Sequence, residues 1–216
     1  MSLETSLSPA VAMSRPSTYR FAKRALDIVV ASSTLVLLSP VFASIALVIK
    51  LNDGGPIFFR QVRVGRHGRQ FTFYKFRSMV PNADALKASL SEANEAEGPI
   101  FKMKDDPRIT RVGRILRKSS LDEFPQFFNV LRGDMSLVGP RPHLPHEIEG
   151  CADYPTERLS VMPGLVCLRE VSGRSRLTFE EWIATDLDYV RRCSLKLDLS
   201  ILMRAAIAVI RADGAY

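Results

Sequence analysis

Residues 25 to 49 read ALDIVVASSTLVLLSPVFASIALVI, an apolar run long enough to cross a bilayer core of about 30 Å if it forms one straight helix. Three features disturb such a helix. Asp27 lies inside the run, Ser32, Ser33 and Thr34 add polar atoms, and Ser39-Pro40 falls near its middle, where proline removes a helical hydrogen bond. A kink is expected there, with the Ser39 hydroxyl placed to satisfy carbonyls that Pro40 frees. A signal peptide is a poor match, because the run is too long, starts too deep in the chain and lacks a small-residue cleavage pattern.

The flanks of the run are basic on both sides. Arg15, Arg20, Lys23 and Arg24 precede it, and Lys50, Arg60, Arg63, Arg66 and Arg69 follow it. The preference of cations for the cytoplasmic side therefore pulls both ends the same way. A helix that enters one leaflet, turns at Ser39-Pro40 and returns satisfies both pulls. A straight signal anchor and a buried core helix are the readings that the run alone leaves open.

Farther out, residues 1 to about 18 are Ser, Ala and Pro-rich without periodicity and are read as a disordered tail. The chain has 216 residues, 46% of them hydrophobic, enough for one domain with a buried core. Its net charge of +7 points to an anionic partner: nucleic acid, a membrane surface or phosphorylated ligands. The apolar run and the lack of any RNA- or DNA-binding motif argue against nucleic acid. Cys151, Cys167 and Cys193 have no Cys-x-x-Cys pairing and are read as reduced fillers.

Beyond the turn at Asn52 to Pro56, IFF and FTFYKF read as two strands joined by a loop from Gly65 to Gly68, a small β-hairpin. Lys75 and Arg77 alternate on the second strand, so they share a face suited to phosphate or headgroups. Pro81 to about Ala96 reads as a helix stopped by Gly98-Pro99. Arg108, Arg111, Arg114 and Arg117 recur every third residue and would trace a basic stripe on a helix. Phe179 to Arg191 reads as a helix with Trp182 as core, and Leu195 to Ile210 as a further helix, either core or amphipathic at a membrane interface.

Residues 117 to 142, RKSSLDEFPQFFNVLRGDMSLVGPRP, carry the chemistry. The adjacent Asp122-Glu123 pair follows Arg117 and Lys118, and cations hold an anionic substrate that the carboxylates alone would repel. Leu121 to Arg132 reads as a helix burying Phe124, Phe127, Phe128 and Leu131, stopped by Gly133, with Pro125 tolerated near its first turn. On the structural reading, Ser120-x-x-Glu123 is a capping box and Asp122 merely favours the helix dipole. His67, His143 and His146 lack any triad spacing and are not assigned as bases. Asp134 is a weaker candidate acid beside an ordinary turn.

Together, KRALDIV, the Ser39-Pro40 break, GGPIFFRQVRVGRHGRQFTFYKFRSM, DDPRITRVGRILRKSSLDEFPQFFNVLRGDMSLVGPRP, Pro163-Gly164 and Gly173-Arg174 resemble the bacterial sugar transferase family, the monotopic polyprenyl-phosphate phosphoglycosyl transferases. The resemblance runs from about Tyr19 to the C-terminus. It implies an α+β, helix-rich monotopic membrane domain: a re-entrant helix over residues 19–50, then a cytoplasmic catalytic region with interfacial helices over 51–216, at the cytoplasmic face of the bacterial inner membrane. It further implies transfer of a sugar 1-phosphate from a UDP-sugar to polyprenol phosphate, with UMP released through an aspartyl-phosphosugar intermediate.

By the same match, Asp122 and Glu123 are the catalytic dyad, Glu123 holds Mg²⁺, Arg117 binds phosphate, and Arg141 and Arg174 make further anion contacts. The implied partners are the UDP-sugar donor, the polyprenol phosphate acceptor and membrane lipids. One stretch departs from the family pattern: where many members read Thr-Gly-Trp/Leu-x-Gln-Val-x-Gly-Arg, this chain reads Val166 to Arg174, VCLREVSGR, which leaves the sugar and base recognised undetermined. The rival from another class is a non-catalytic, membrane-bound lipid-binding scaffold in which Asp122 and Glu123 only cap a helix. Another enzyme reading is a direct glycosyl transferase that leaves UDP and forms no covalent intermediate, and release of UMP, of UDP or of nothing discriminates among the three.

Overall fold

The computed structural model describes residues 15–95, 101, 103–151, 153–172 and 178–210. The apolar run forms two helices, α1 (Ser17–Leu37) and α2 (Ser39–Asp53), bent by 61° at the break. Pro40 sits in the first turn of α2, a position proline tolerates because first-turn amides have no acceptor within their own helix. Gly54, in the left-handed region at φ 71°, ends α2. Among the described residues no single helix is long and apolar enough to cross a membrane, although the bent pair passes that test together. Helix α1 starts within the last residues read as tail, and residues 1–14 lie outside the described ones.

Strands β1 (Phe58–Val64) and β2 (Gln70–Phe76) form the expected antiparallel hairpin, in register from Phe58 opposite Phe76 to Val64 opposite Gln70. A second sheet is absent from the sequence reading. In it β3 (Ser136–Val138) pairs in parallel with β4 (Gly164–Val166). The two chains approach so closely that a Cβ on Gly164 would lie 2.0 Å from the Gly139 nitrogen, a contact only glycines permit.

The remaining helices are α3 (Ala83–Lys87), extended as a 3₁₀ turn to Ala93, α4 (Arg111–Lys118), α5 (Gln126–Arg132), α6 (Pro145–Glu149), α7 (Leu168–Ser172), α8 (Phe179–Arg192) and α9 (Leu195–Ile210). The helix expected over Pro81 to Ala96 is thus shorter, and its stop at Gly98-Pro99 lies outside the described residues. Helix α4 is capped by Thr110, whose hydroxyl oxygen accepts from the Gly113 amide at 2.9 Å. The expected arginine stripe does not form. Arg108 precedes the cap and is buried against Asp106 at 2.7 Å, while Arg111 and Arg114 are exposed.

The main core joins Ala31 of α1 to Phe73 of β2, Phe127 and Val130 of α5, Leu137 and Val138 of β3, Tyr189 of α8 and Ile201 of α9. A second cluster sets Ile45 and Ile49 of α2 on Phe76 and Leu116. Each arm of the bent pair therefore has one docked side, while Val36, Leu37, Val41, Leu47 and Val48 stand exposed around and beyond the bend.

Polar groups of α1 are drawn into the same junction. Buried Asp27 accepts from the Ser136 hydroxyl at 3.0 Å and the Leu137 amide at 2.9 Å. Lys23 pairs with Asp198 at 2.8 Å, and Asp198 also accepts from the Tyr189 hydroxyl at 2.7 Å. Arg24 donates to the carbonyls of Val130 and Leu131 at 2.6 and 2.7 Å, and Arg15 to those of Val190 and Arg191 at 2.6 and 2.7 Å. Those acceptors lie in the last turns of α5 and α8, which lack helical donors and favour cations. Of the four cations preceding the run, three are bonded inside the fold, while Arg20 is exposed.

Candidate active site

Asp122 and Glu123 lie on a 3₁₀ turn, Leu121–Glu123, ahead of α5. Proline explains the split. Pro125 has no amide to offer the Leu121 carbonyl, so that carbonyl accepts from Phe124 one residue earlier, at 3.3 Å. Helix α5 begins only at Gln126 and ends at Gly133, φ 82°. It buries Gln126, Phe127, Asn129 and Val130, whereas Phe128, expected inside, is 53% exposed and meets Tyr74 edge-on.

The capping box is not formed. Ser120 adopts φ 57° and its side chain makes no cap bond. Glu123 turns instead to two cations, which bind a carboxylate more strongly than one amide does. Lys75 Nζ lies 2.6 Å from Glu123 Oε1 and 3.7 Å from Asp122 Oδ2. Arg141, in the turn after β3, places Nη2 at 2.7 Å from Glu123 Oε1 and Nη1 at 3.3 Å from Glu170 Oε1. Glu170, on α7, also accepts from the Cys167 amide at 3.1 Å. Arg117, in the last turn of α4, donates through Nε to the Ser78 hydroxyl at 2.9 Å.

These surroundings divide the two acids. Burial raises the Asp122 carboxyl above its ordinary range, opposed first by Lys75 and more weakly by Arg117, with the Glu123 charge pushing the same way as burial. The 3₁₀ turn on which Asp122 sits supplies little dipole to oppose this, and desolvation dominates. For Glu123 burial also acts upward, but Arg141 and Lys75 outweigh it and hold the carboxyl far below its usual range. Burial raises Glu170, with Arg141 acting against it, and lowers the Arg117 guanidinium.

Lys75, Arg117 and Arg141 thus gather around Asp122 and Glu123, but Arg77 does not. It is buried and ion-paired with Asp53 of α2, its guanidinium covering Gly55, so it fastens the end of α2 to the strand. Ser39 and Pro40 stand at the opposite end of α2. Arg174 lies outside the described residues. Asp134 bonds Arg132 and Asn129, away from the dyad. His143 is packed among Tyr154, Phe179 and Trp182, and His67 and His146 are exposed. Glu170 went unassigned in the sequence. Its signal was its position inside the stretch that departs from the family pattern.

A doubly paired Glu123 beside a buried Asp122 whose pKa is raised gives one fixed anion and one more basic carboxylate. The adjacent carboxylates offer oxygen ligands of the kind Mg²⁺ takes together with substrate phosphates, while among the described residues no group of three acidic, histidine or cysteine side chains is placed to hold a metal.

A family model described as bacterial sugar transferase matches residues 18–212. The chain is 46% identical over 202 residues to an undecaprenyl-phosphate galactose phosphotransferase of Salmonella typhimurium, covering 91% of this chain and 42% of that protein. It is 40% identical to a UDP-glucose:undecaprenyl-phosphate glucose-1-phosphate transferase of Caulobacter vibrioides, covering 90% and 72%. To the exopolysaccharide production protein ExoY of Sinorhizobium fredii it is 39% identical, covering 90% and 88%. The chain thus spans less than half the length of the first of these relatives and most of the length of the last.

Proposed function

This chain belongs to the bacterial sugar transferase family, and from that membership we propose that it transfers a sugar 1-phosphate from a UDP-sugar to polyprenol phosphate, an opening step of exopolysaccharide or glycoconjugate synthesis. The observation that carries the reading is the division of labour between the two carboxylates. Glu123 is neutralised by Lys75 and Arg141, while Asp122 is buried with one looser partner at 3.7 Å.

Asp122 attacks the phosphorus that bears the sugar. The bond from that phosphorus to the bridging oxygen breaks, and UMP leaves with the electron pair. An oxygen of polyprenol phosphate then attacks the same phosphorus, the aspartyl oxygen departs, and the Asp122 carboxylate is restored beside the polyprenyl diphosphosugar. Lys75, Arg117 and Arg141 surround the position where negative charge accumulates, so their positive charge acts in the transition state, where it lowers the barrier. Glu123, with Asp122 beside it, would hold Mg²⁺, which supplies charge neutralisation at the diphosphate when bound. A carboxylate whose pKa is raised is the better nucleophile once ionised.

The same reading places the chain at a membrane. The exposed apolar residues at the bend, Val36 and Leu37, suit a helix pair that dips into one leaflet with both ends on the cytoplasmic face. The test is product identity. Detergent-held protein given a UDP-sugar and Mg²⁺ without acceptor should release one UMP per active site, then turn over when polyprenol phosphate is added. Release of UDP, or of no nucleotide with any UDP-sugar, overturns the reading.

A further inference from the structure

Arg141 is carried by Pro140-Arg141-Pro142, a segment in which two of three residues have no amide proton. Such a segment cannot be pinned through its own donors, so its carbonyls must hold it. Four consecutive carbonyls do so, reaching β4, Arg158 and, for the last two, the end of β1. Pro140 accepts from the Gly164 amide at 2.9 Å, Arg141 from the Arg158 guanidinium, Pro142 from Arg63 at 3.0 Å, and His143 from the Val64 amide at 2.9 Å. The Arg141 carbonyl is the one nearest the working side chain.

Arg158 is buried, as is Asp186 of α8, which holds it at 2.7 Å. The Tyr154 hydroxyl accepts from the same guanidinium at 2.7 Å. A buried ion pair is a poor device for stability alone, because apolar residues of equal volume do as well or better. What the guanidinium adds is a planar fork that satisfies Asp186, Tyr154 and the Arg141 carbonyl in one fixed geometry.

We propose that Arg158, anchored by Asp186, is a positioning residue for catalysis, fixing the backbone of Arg141 so that its guanidinium meets Glu123. The proposal rests on the site reading above. A displacement of about 1 Å in such a group is enough to cost about a hundredfold in rate.

The experiment is a double-mutant cycle on UMP release, with melting measured alongside. Arg158→Gln and Arg141→Gln should each slow the rate by about tenfold to a hundredfold, and the double variant should be no slower than Arg141→Gln alone. Losses that multiply overturn the proposal, as does a wild-type rate in Arg158→Gln. If Arg158→Gln does not fold, Arg158→Lys takes its place in the cycle. Lysine keeps a cation for Asp186 but cannot span to the Arg141 carbonyl as well, so melting should recover while the rate does not. Recovery of both means the residue is only structural. Asp122→Asn reports separately on the site reading: undiminished UMP release there ends that reading, whatever the cycle shows.

Discussion

The Ser39 hydroxyl donates to the Val36 carbonyl at 2.8 Å, the acceptor four residues before Pro40 that proline leaves without an amide partner. A single side chain therefore closes the gap that the bend opens. Leaving that carbonyl unpaired in an apolar medium costs about 1–3 kcal/mol, so Ser39→Ala should destabilise the bend. Replacing Ser39-Pro40 with Ala-Leu should instead let the two helices join into one. In a background without the native cysteines, reporters at Ser17 and Asn52 should both resist an impermeant thiol reagent added to intact cells. After the Ala-Leu replacement the Ser17 reporter should become labelled. Labelling of Ser17 from outside in the otherwise unaltered protein would show a straight anchor.

Asp122→Asn should abolish UMP release and raise the melting temperature at neutral pH. Burial makes the fold favour the neutral acid. Between the ordinary carboxylate range and the raised folded value, the native state keeps a proton that the unfolded chain has lost, so stability falls as pH rises through that window. The amide is free of that loss. Its advantage should vanish below the unfolded value, where both states are protonated. A melting gain that is the same at every pH contradicts the assignment.

Glu123→Gln should lower the rate by about tenfold or more, since it takes a partner from both Lys75 and Arg141, and, on the proposed reading that Glu123 holds Mg²⁺, should shift the Mg²⁺ titration to higher concentration. Chelation with EDTA should stop UMP release, and added Mg²⁺ should restore it. An unchanged Mg²⁺ midpoint in the variant would separate Glu123 from the metal.

The pKa of His143 is held well below its ordinary value, first by burial and then by Arg158, Arg63, Arg169 and Arg141. The unfolded chain therefore takes up a proton below about pH 6.5 that the native state refuses. Stability present above that pH should be lost on acidification at about 1.4 kcal/mol per pH unit. His143→Phe, an apolar ring beside Phe179 and Trp182, should flatten that slope. Urea midpoints from pH 7 to 5 measure it.

The local elements were legible in the sequence because their signals are local: the hairpin, α8, α9 and the break at Ser39-Pro40 each declare themselves by alternation, capping residues or proline. The parallel β3 and β4 pair did not. Its strands have three residues each, and its cause is a glycine-to-glycine approach that exists only after folding. Asp122 and Glu123 were singled out by adjacency, but their acidities part on the cations that Arg141 and Lys75 bring to Glu123, which no spacing reveals. Lys75 was named for the face it occupies, as was Arg77, and tertiary packing sent only Lys75 to the dyad. Arg108 failed similarly, captured by Asp106 before the helix it was meant to decorate.

The bonds that Arg15, Lys23, Arg24 and Asp27 make into the core set where this protein can be cut and rejoined. A truncation made after Asn52 to obtain a soluble fragment would strip the last turn of α5 of its guanidinium and leave Asp198 without its lysine. A chimera that borrows the bent pair from a relative would have to import the matching ends of α5, α8 and β3. The exchangeable unit of this protein begins before Ser17, and its bent helix pair is inherited with the core beneath it rather than attached to it.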